Sequence, residues 1–213
     1  MQVSVIIPAY NEEKTIANVI MPIKKVPAVA EIIVVSDGSV DGTAEVAKEA
    51  GATVIVSEIN RGKGGAMMLG VEHASQEVIL FLDADLIGLT PTHIEQLIEP
   101  VLSKRVEMAV GIFEHGRLAT DMAQLVAPFL SGQRALTKSL LKRVGNLEWA
   151  RYGVEIALTK YAAEHDLQYE EVVLKDLSHV MKEEKLGLWK GFRARMKMYW
   201  EIAKSLSDDE HCK

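Results

Sequence analysis

Four short stretches of this chain carry residue types that bind phosphate, sugar hydroxyls or a hard cation. The most concentrated is Asp83-Ala84-Asp85, two carboxylates separated by one small residue at the end of the apolar run Val78-Ile79-Leu80-Phe81-Leu82. Carboxylates this close repel each other unless a cation lies between or beside them, and magnesium or manganese takes oxygen ligands. Aspartate is also a common turn and cap residue, so this stretch alone leaves the choice open. The other three are Tyr10-Asn11-Glu12, Asp37-Gly38-Ser39 and Arg61-Gly62-Lys63-Gly64. Together they offer carboxylates for a base edge or ribose hydroxyls, a glycine-spaced Arg and Lys for phosphate oxygens, and an aspartate pair for a metal. That chemistry describes a nucleoside-diphosphate pocket.

The elements around these stretches decide whether they meet. Val3-Ser4-Val5-Ile6-Ile7 predicts a buried first strand ending at Pro8, which cannot donate to a ladder. A helix follows from about Glu13 toward Lys25, with Pro22 bending it or ending it early. Ile32 to Val35 and Thr53 to Val56 predict the next two strands, with a helix from Asp41-Gly42-Thr43 to Gly51 between them. A helix through about Ala74 leads to the strand that stops at Asp83. Such short connections specify parallel strands with right-handed crossovers, so all four polar stretches should gather along one edge of the sheet, where open α/β sheets bind ligands. Beyond Asp85 the pattern predicts a helix from Pro91, a strand over Glu107 to Ile112, helices over 121–127, from 131–134 through Arg143 and over 148–165, a late edge strand near Tyr169 to Leu174, and a closing helix over about 188–206.

Composition narrows the class. The 213 residues, 48% hydrophobic and 25% charged, fit one compact domain, and a net charge of -6 lacks the positive field that non-specific nucleic-acid binding uses. The single cysteine, Cys212, rules out an internal disulfide and a cysteine zinc site. With no basic leader and no run of about 18 apolar residues, a cytoplasmic protein is expected. The first strand is not followed by G-x-G-x-x-G and no G-x-x-x-x-G-K-[ST] occurs, which argues against a dinucleotide dehydrogenase and a P-loop ATPase.

Val5 to Glu12, Val34 to Thr43, Arg61-Gly62-Lys63-Gly64 and Asp83-Ala84-Asp85 resemble, in order, the motifs of family 2 glycosyltransferases. The resemblance implies an α/β GT-A fold, a mostly parallel Rossmann-like sheet flanked by helices, as one domain over 1–213. Residues 1–112 would form the nucleotide-sugar half, and 113–213 a helical acceptor-side half ending in an amphipathic helix. It implies a metal-dependent hexosyltransferase in which Pro8, Tyr10, Glu12 and Asp37 line the base and ribose pocket and Lys63 reaches the base or diphosphate. Asp83 would face the ribose or a metal-bound water, and Asp85 would hold Mg or Mn against the diphosphate. Arg61 is as well explained as a solvated side chain, and Asp41 as a helix cap.

The second half is similar to polyprenyl-phosphate sugar synthases and glucosyl-phosphoglycerate synthases. Ser131-Gly132-Gln133-Arg134 resembles a Ser-Gly-x-Arg loop near the acceptor, where Arg134 would fork onto a phosphate and Ser131 and Gly132 would line the substrate site. Glu155 resembles an acceptor-side acid or base whose burial would raise its pKa. In the polyprenyl-phosphate group a polar residue two positions after the metal aspartate can help hold the cation; this chain has Leu86 and Ile87 there. His179 resembles a late histidine that closes the shell, while His73, His93, His115, His165 and His211 are background.

Expected partners are a UDP- or GDP-sugar and a lipid-phosphate or small phosphorylated acceptor, with self-association left open. Between Lys182 and Lys204 there are 7 Lys or Arg and 3 Glu, interleaved with Trp189, Phe192, Tyr199 and Trp200. This composition suits either peripheral contact of 186–206 with the inner face of a membrane or packing on the core. The rival classes are a sugar-1-phosphate nucleotidyltransferase, whose glycine-rich loop after the first strand is absent, and a catalytically silent nucleotide-binding regulator.

Overall fold

In the computed structural model the described residues are 1–113, 131–145 and 154–179. The chain divides into two units, Met1–Ser178 and His179–Lys213, and the fold below is that of the first. Its strands are β1 (Val3–Ala9), β2 (Val29–Asp37), β3 (Thr53–Ser57), β4 (Val78–Phe81), β5 (Leu86–Ile87), β6 (Met108–Phe113), β7 (Arg134–Thr137) and β8 (Glu170–Leu174), with β9 (Ser178–His179) at the boundary between units. The helices are α1 (Ile16–Ile23), α2 (Thr43–Glu49), α3 (Gly62–His73), α4 (Pro91–Leu102), α5 (Lys138–Val144) and α6 (Val154–Glu164).

Seven strands form one sheet in the order β3-β2-β1-β4-β7-β6-β8. All neighbours are parallel except those of β7, which runs antiparallel to both β4 and β6. The chain builds β2 and β3 to one side of β1, then returns to place β4 on the other. The carboxyl ends of β1 and β4 therefore mark the switch point, the place where such sheets bind ligands.

Strand alternation explains how the sheet is covered on both faces. Val3, Val5 and Ile7 point to a core shared with Ile16, Val19 and Ile20 of α1 and Ile94, Leu97 and Ile98 of α4. Ile6, Ile33, Ile79 and Phe81 point the other way, onto Ala66 and Met67 of α3, Leu140 and Leu141 of α5, and Val154 and Leu158 of α6. Burial on both faces is what a near-continuous apolar run such as Val78 to Leu82 requires.

Two expectations need correction. β1 does not stop before Pro8; it runs to Ala9 with Pro8 opposite Val35. Ile6 faces β4, since its carbonyl accepts from Leu82 N at 3.1 Å, so Pro8, two residues on, also faces that side. The β4 ladder has ended there, and the missing N–H costs no ladder bond. The second correction concerns Arg134 to Thr137, expected as the end of a loop running into a helix through Arg143 and found as the antiparallel strand β7. The later edge strand is where it was expected, as β8 at the end of the sheet. The expected helices over 121–127 and 188–206 lie outside the described residues, as do 148–153 of the helix expected over 148–165.

Candidate active site

The carboxyl edge is assembled by contacts that link one strand end to the next. Asn11 adopts a left-handed conformation (φ 55°) that asparagine tolerates; its side chain accepts from Val40 N at 2.9 Å, and its own N–H donates to Ser39 Oγ at 3.1 Å. Glu12 N donates to Thr43 Oγ1 at 2.8 Å, which ties the β1–α1 turn to the start of α2. Asp41 does not serve as the expected cap residue itself, since Gly42 holds that position. The Asp41 carboxylate instead accepts from Thr43 N at 3.1 Å, from the Thr43 hydroxyl and from Glu13 N at 3.3 Å. Partial burial works to raise its pKa, but these hydrogen bonds outweigh it and hold the carboxyl below the ordinary aspartate value.

Asp37 is 3% exposed, and its Oδ1 accepts from Arg61 N at 2.8 Å while Asn60 Nδ2 donates to its backbone carbonyl at 3.0 Å. The β3–α3 loop is thus seated on the end of β2. Gly38, at φ +72°, makes that seat possible, because a Cβ there would lie 3.0 Å from Asn60 N. Arg61 donates through Nε to Ser57 Oγ at 3.2 Å.

At the switch point Lys63 Nζ lies 2.7 Å from Asp83 Oδ1, with side chains 40% and 25% exposed. The other oxygen, Oδ2, accepts from Gln133 Nε2 at 2.8 Å. Gly132 lies against this pair so closely that a Cβ would come within 2.5 Å of Lys63 Nζ and 2.6 Å of Asp83 Oδ1. Ser131 donates to the Gly111 carbonyl and lies 3.1 Å from Gln133 Oε1. β7 explains the meeting: being antiparallel, it enters the sheet at the edge where the parallel strands leave, with Arg134 opposite Phe81. Asp85 is half-buried in the turn that follows Asp83, and Tyr10, 52% exposed, stands at the mouth of β1.

Arg134 is placed differently from the expected phosphate fork. It is 1% exposed; Nε donates to the Ser131 carbonyl at 3.0 Å, and NH1 lies 3.8 Å from Met108 Sδ. Its strand position turns it into the core, where it braces the Ser131 turn. Glu155 sits in the first turn of α6, and its side chain lies outside the described residues. His179 is the last residue of β9, and its side chain lies outside them as well. His93, expected to be background, helps to hold the fold, since Thr90 and His93 cap α4 reciprocally. Among the described residues no three His, Cys, Asp or Glu side chains group closely enough to hold a metal by themselves.

The family model of glycosyl transferase family 2 matches residues 4–161. The chain belongs to this family. A protein of Methanocaldococcus jannaschii is 31% identical over 201 residues, covering 83% of this chain and 82% of its own length. The 4,4'-diaponeurosporenoate glycosyltransferase of Staphylococcus aureus is 41% identical over 100 residues, 45% of this chain but only 27% of that enzyme. Among solved structures, glucosyl-3-phosphoglycerate synthase of Mycobacterium tuberculosis is 28% identical with a TM-score of 0.69, covering 84% of this chain and 72% of that one. That enzyme was crystallised with Mn2+, UDP and glucosyl-3-phosphoglycerate, with Mn2+, UDP-glucose and phosphoglyceric acid, and with Mg2+ and UDP. This protein is therefore a glycosyltransferase, and its mostly parallel sheet flanked by helices is the GT-A architecture that its motifs implied. Among the described residues no helix is long and apolar enough to cross a membrane.

Proposed function

We propose that this glycosyltransferase moves a sugar from a UDP- or GDP-sugar onto a small phosphorylated acceptor, with Mg or Mn at Asp85. The observation that carries the reading is the Lys63–Asp83 pair beside Asp85 at the switch point, together with the likeness to a synthase crystallised with Mn2+, UDP-glucose and phosphoglyceric acid. The donor set fits such a cation: one or two carboxylates without a protein cage suit magnesium or manganese when substrate phosphates supply other ligands. When bound, the cation would neutralise the negative charge that grows on the departing nucleoside diphosphate.

The protein's own residues divide the remaining work. Pro8, Tyr10, Glu12 and Asp37 bound the base and ribose pocket, with Asp37 already fixed through Arg61 N. Lys63 holds Asp83 before the donor arrives. An ion pair this exposed is worth at most about 1 kcal/mol, so Lys63 can turn to a phosphate oxygen at little cost. Asp83 then faces the ribose or a metal-bound water, and Ser131 and Gly132 form the wall toward the acceptor. Glu155 is assigned the acceptor-side acid or base.

A polyprenyl phosphate is the second reading, favoured by the basic and aromatic run from Lys182 to Lys204. Each nucleotide-sugar, with manganese or magnesium and with phosphoglycerate or a polyprenyl phosphate, should be assayed for nucleotide release and glycosylated product. A product on phosphoglycerate supports the first reading, one on the lipid supports the second, and none with any donor sinks both. Flotation with anionic liposomes tests the peripheral membrane contact, and light scattering tests self-association.

A further inference from the structure

Among the described residues Asp83 is held by two groups of different kinds, and the less conspicuous one fixes its orientation. Lys63 is long, partly exposed and able to swing to another anion. Gln133 is 1% exposed and fixed along its length. Its carbonyl accepts from Gly111 N at 2.8 Å and its N–H donates to Ser131 Oγ at 3.3 Å, which anchors the backbone to β6. A carboxylate only accepts, so the amide must present Nε2 to Asp83 at 2.8 Å and Oε1 to Ser131 at 3.1 Å.

We infer that Gln133 is a positioning residue, a neutral clamp that keeps Asp83 oriented at the switch point when Lys63 turns to the donor. The inference rests on the placement of Asp83 in the donor site under the proposed function. Neutrality matters here: a lysine or arginine at 133 would hold the carboxylate but cancel the charge that it presents to a ribose or to a metal-bound water. An amide orients the group and leaves its charge intact. The clamp also ties β6 and β7, which lead to the acceptor side, to the end of β4, so a shift at Gly111 or Ser131 is passed to Asp83.

The test compares Asp83→Asn, Gln133→Leu and Gln133→Asn by donor and acceptor kinetics, Tm, and calorimetric binding of UDP with manganese. For Gln133→Leu, kcat should fall about 10- to 100-fold, since a misplaced group costs that much, and UDP should bind more weakly by a smaller factor because Asp83 faces the donor. A packing role alone would lower Tm and leave kcat per folded molecule unchanged, and that result overturns the inference. Wild-type kcat in Gln133→Leu with an inactive Asp83→Asn also overturns it, and leaves the functional reading standing. Full activity in Asp83→Asn removes the functional reading itself. If Gln133→Leu does not fold, Gln133→Asn decides: the shorter amide keeps the polarity but cannot reach Asp83, so a fall of about tenfold in kcat per folded molecule supports the clamp, and no change overturns it.

Discussion

Glu31 and Asp83 are carboxylates at opposite ends of the same sheet, and the contrast between them separates what holds the fold from what the fold holds out. Glu31, near the start of β2, gathers its donors on one oxygen: Ser4 Oγ at 2.5 Å, Ser75 N at 2.6 Å and Ser75 Oγ at 2.7 Å. Gln76 N in turn donates to Ser4 Oγ at 3.0 Å, so β1, β2 and the approach to β4 are sewn together at their amino ends. These donors are short and belong to the fold. Among the described residues Asp83 meets Lys63 with one oxygen and Gln133 with the other, and one of these partners is a cation with 40% of its side chain exposed. A carboxylate satisfied by fixed neutral groups is structural, whereas one satisfied by a cation that can leave is available to a ligand.

The largest effect expected from that contrast is at the carboxyl end. Asp85→Ala should lower sugar transfer by about 10² to 10³, the scale of losing one electrostatic stabiliser. Its Tm should stay within about 3 °C, roughly the shift of 1 kcal/mol in a chain of this length. Nucleotide release and a thermal melt measure both, and an active Asp85→Ala enzyme would remove the site from this edge. Next in size is Lys63→Met. It should raise the donor KM about tenfold, as one charge-assisted hydrogen bond to phosphate is lost, and should barely move the melt. A destabilised Lys63→Met with unchanged KM would make the pair structural, like Glu31, and dissolve the contrast.

How much of this was legible in the sequence follows the same division. The apolar runs that stop on Asp37 and Asp83, and Pro91 opening α4, carried enough pattern to place the parallel half and its polar edge. β7 was not legible. Arg134 to Thr137 is four residues long with an arginine at its start, and only the sheet on either side makes Ala135 and Leu136 strand residues. Missing β7 hid Gln133, because nothing local shows that an antiparallel strand brings position 133 to the end of β4. For the same reason the burial of Arg134 was hidden, since only the register opposite Phe81 turns its side chain inward. Asn11 carried a usable signal, an asparagine just after a strand, where a left-handed turn is common.

At the amino end the effects are smaller and fall on stability. Glu31→Ala leaves the Ser4 hydroxyl and the Ser75 amide without their acceptor and should cost about 1–3 kcal/mol in urea unfolding. Its kcat and KM should match those of the wild type, and a loss of activity at equal folded fraction would mean that the two ends are coupled. The finest test is pH. Burial acts to raise the Glu31 pKa, but hydrogen bonds from Ser4 and Ser75 and the charge of Lys138 prevail, so its folded value lies below the ordinary glutamate value of 4.5. The unfolded chain therefore binds this proton first, and the stabilisation is complete above about 4.5 and is lost as pH falls through the lower folded value. Asp41 adds a similar loss below 3.8. Glu31→Gln should accordingly lower the stability at neutral pH and flatten the acid side of the profile below pH 4.5, because an amide carries no charge to be stabilised above that pH and has no proton to take up below it. An equally steep acid limb in that variant would show that other carboxylates, and not the one at the amino end, set the acid sensitivity of the sheet.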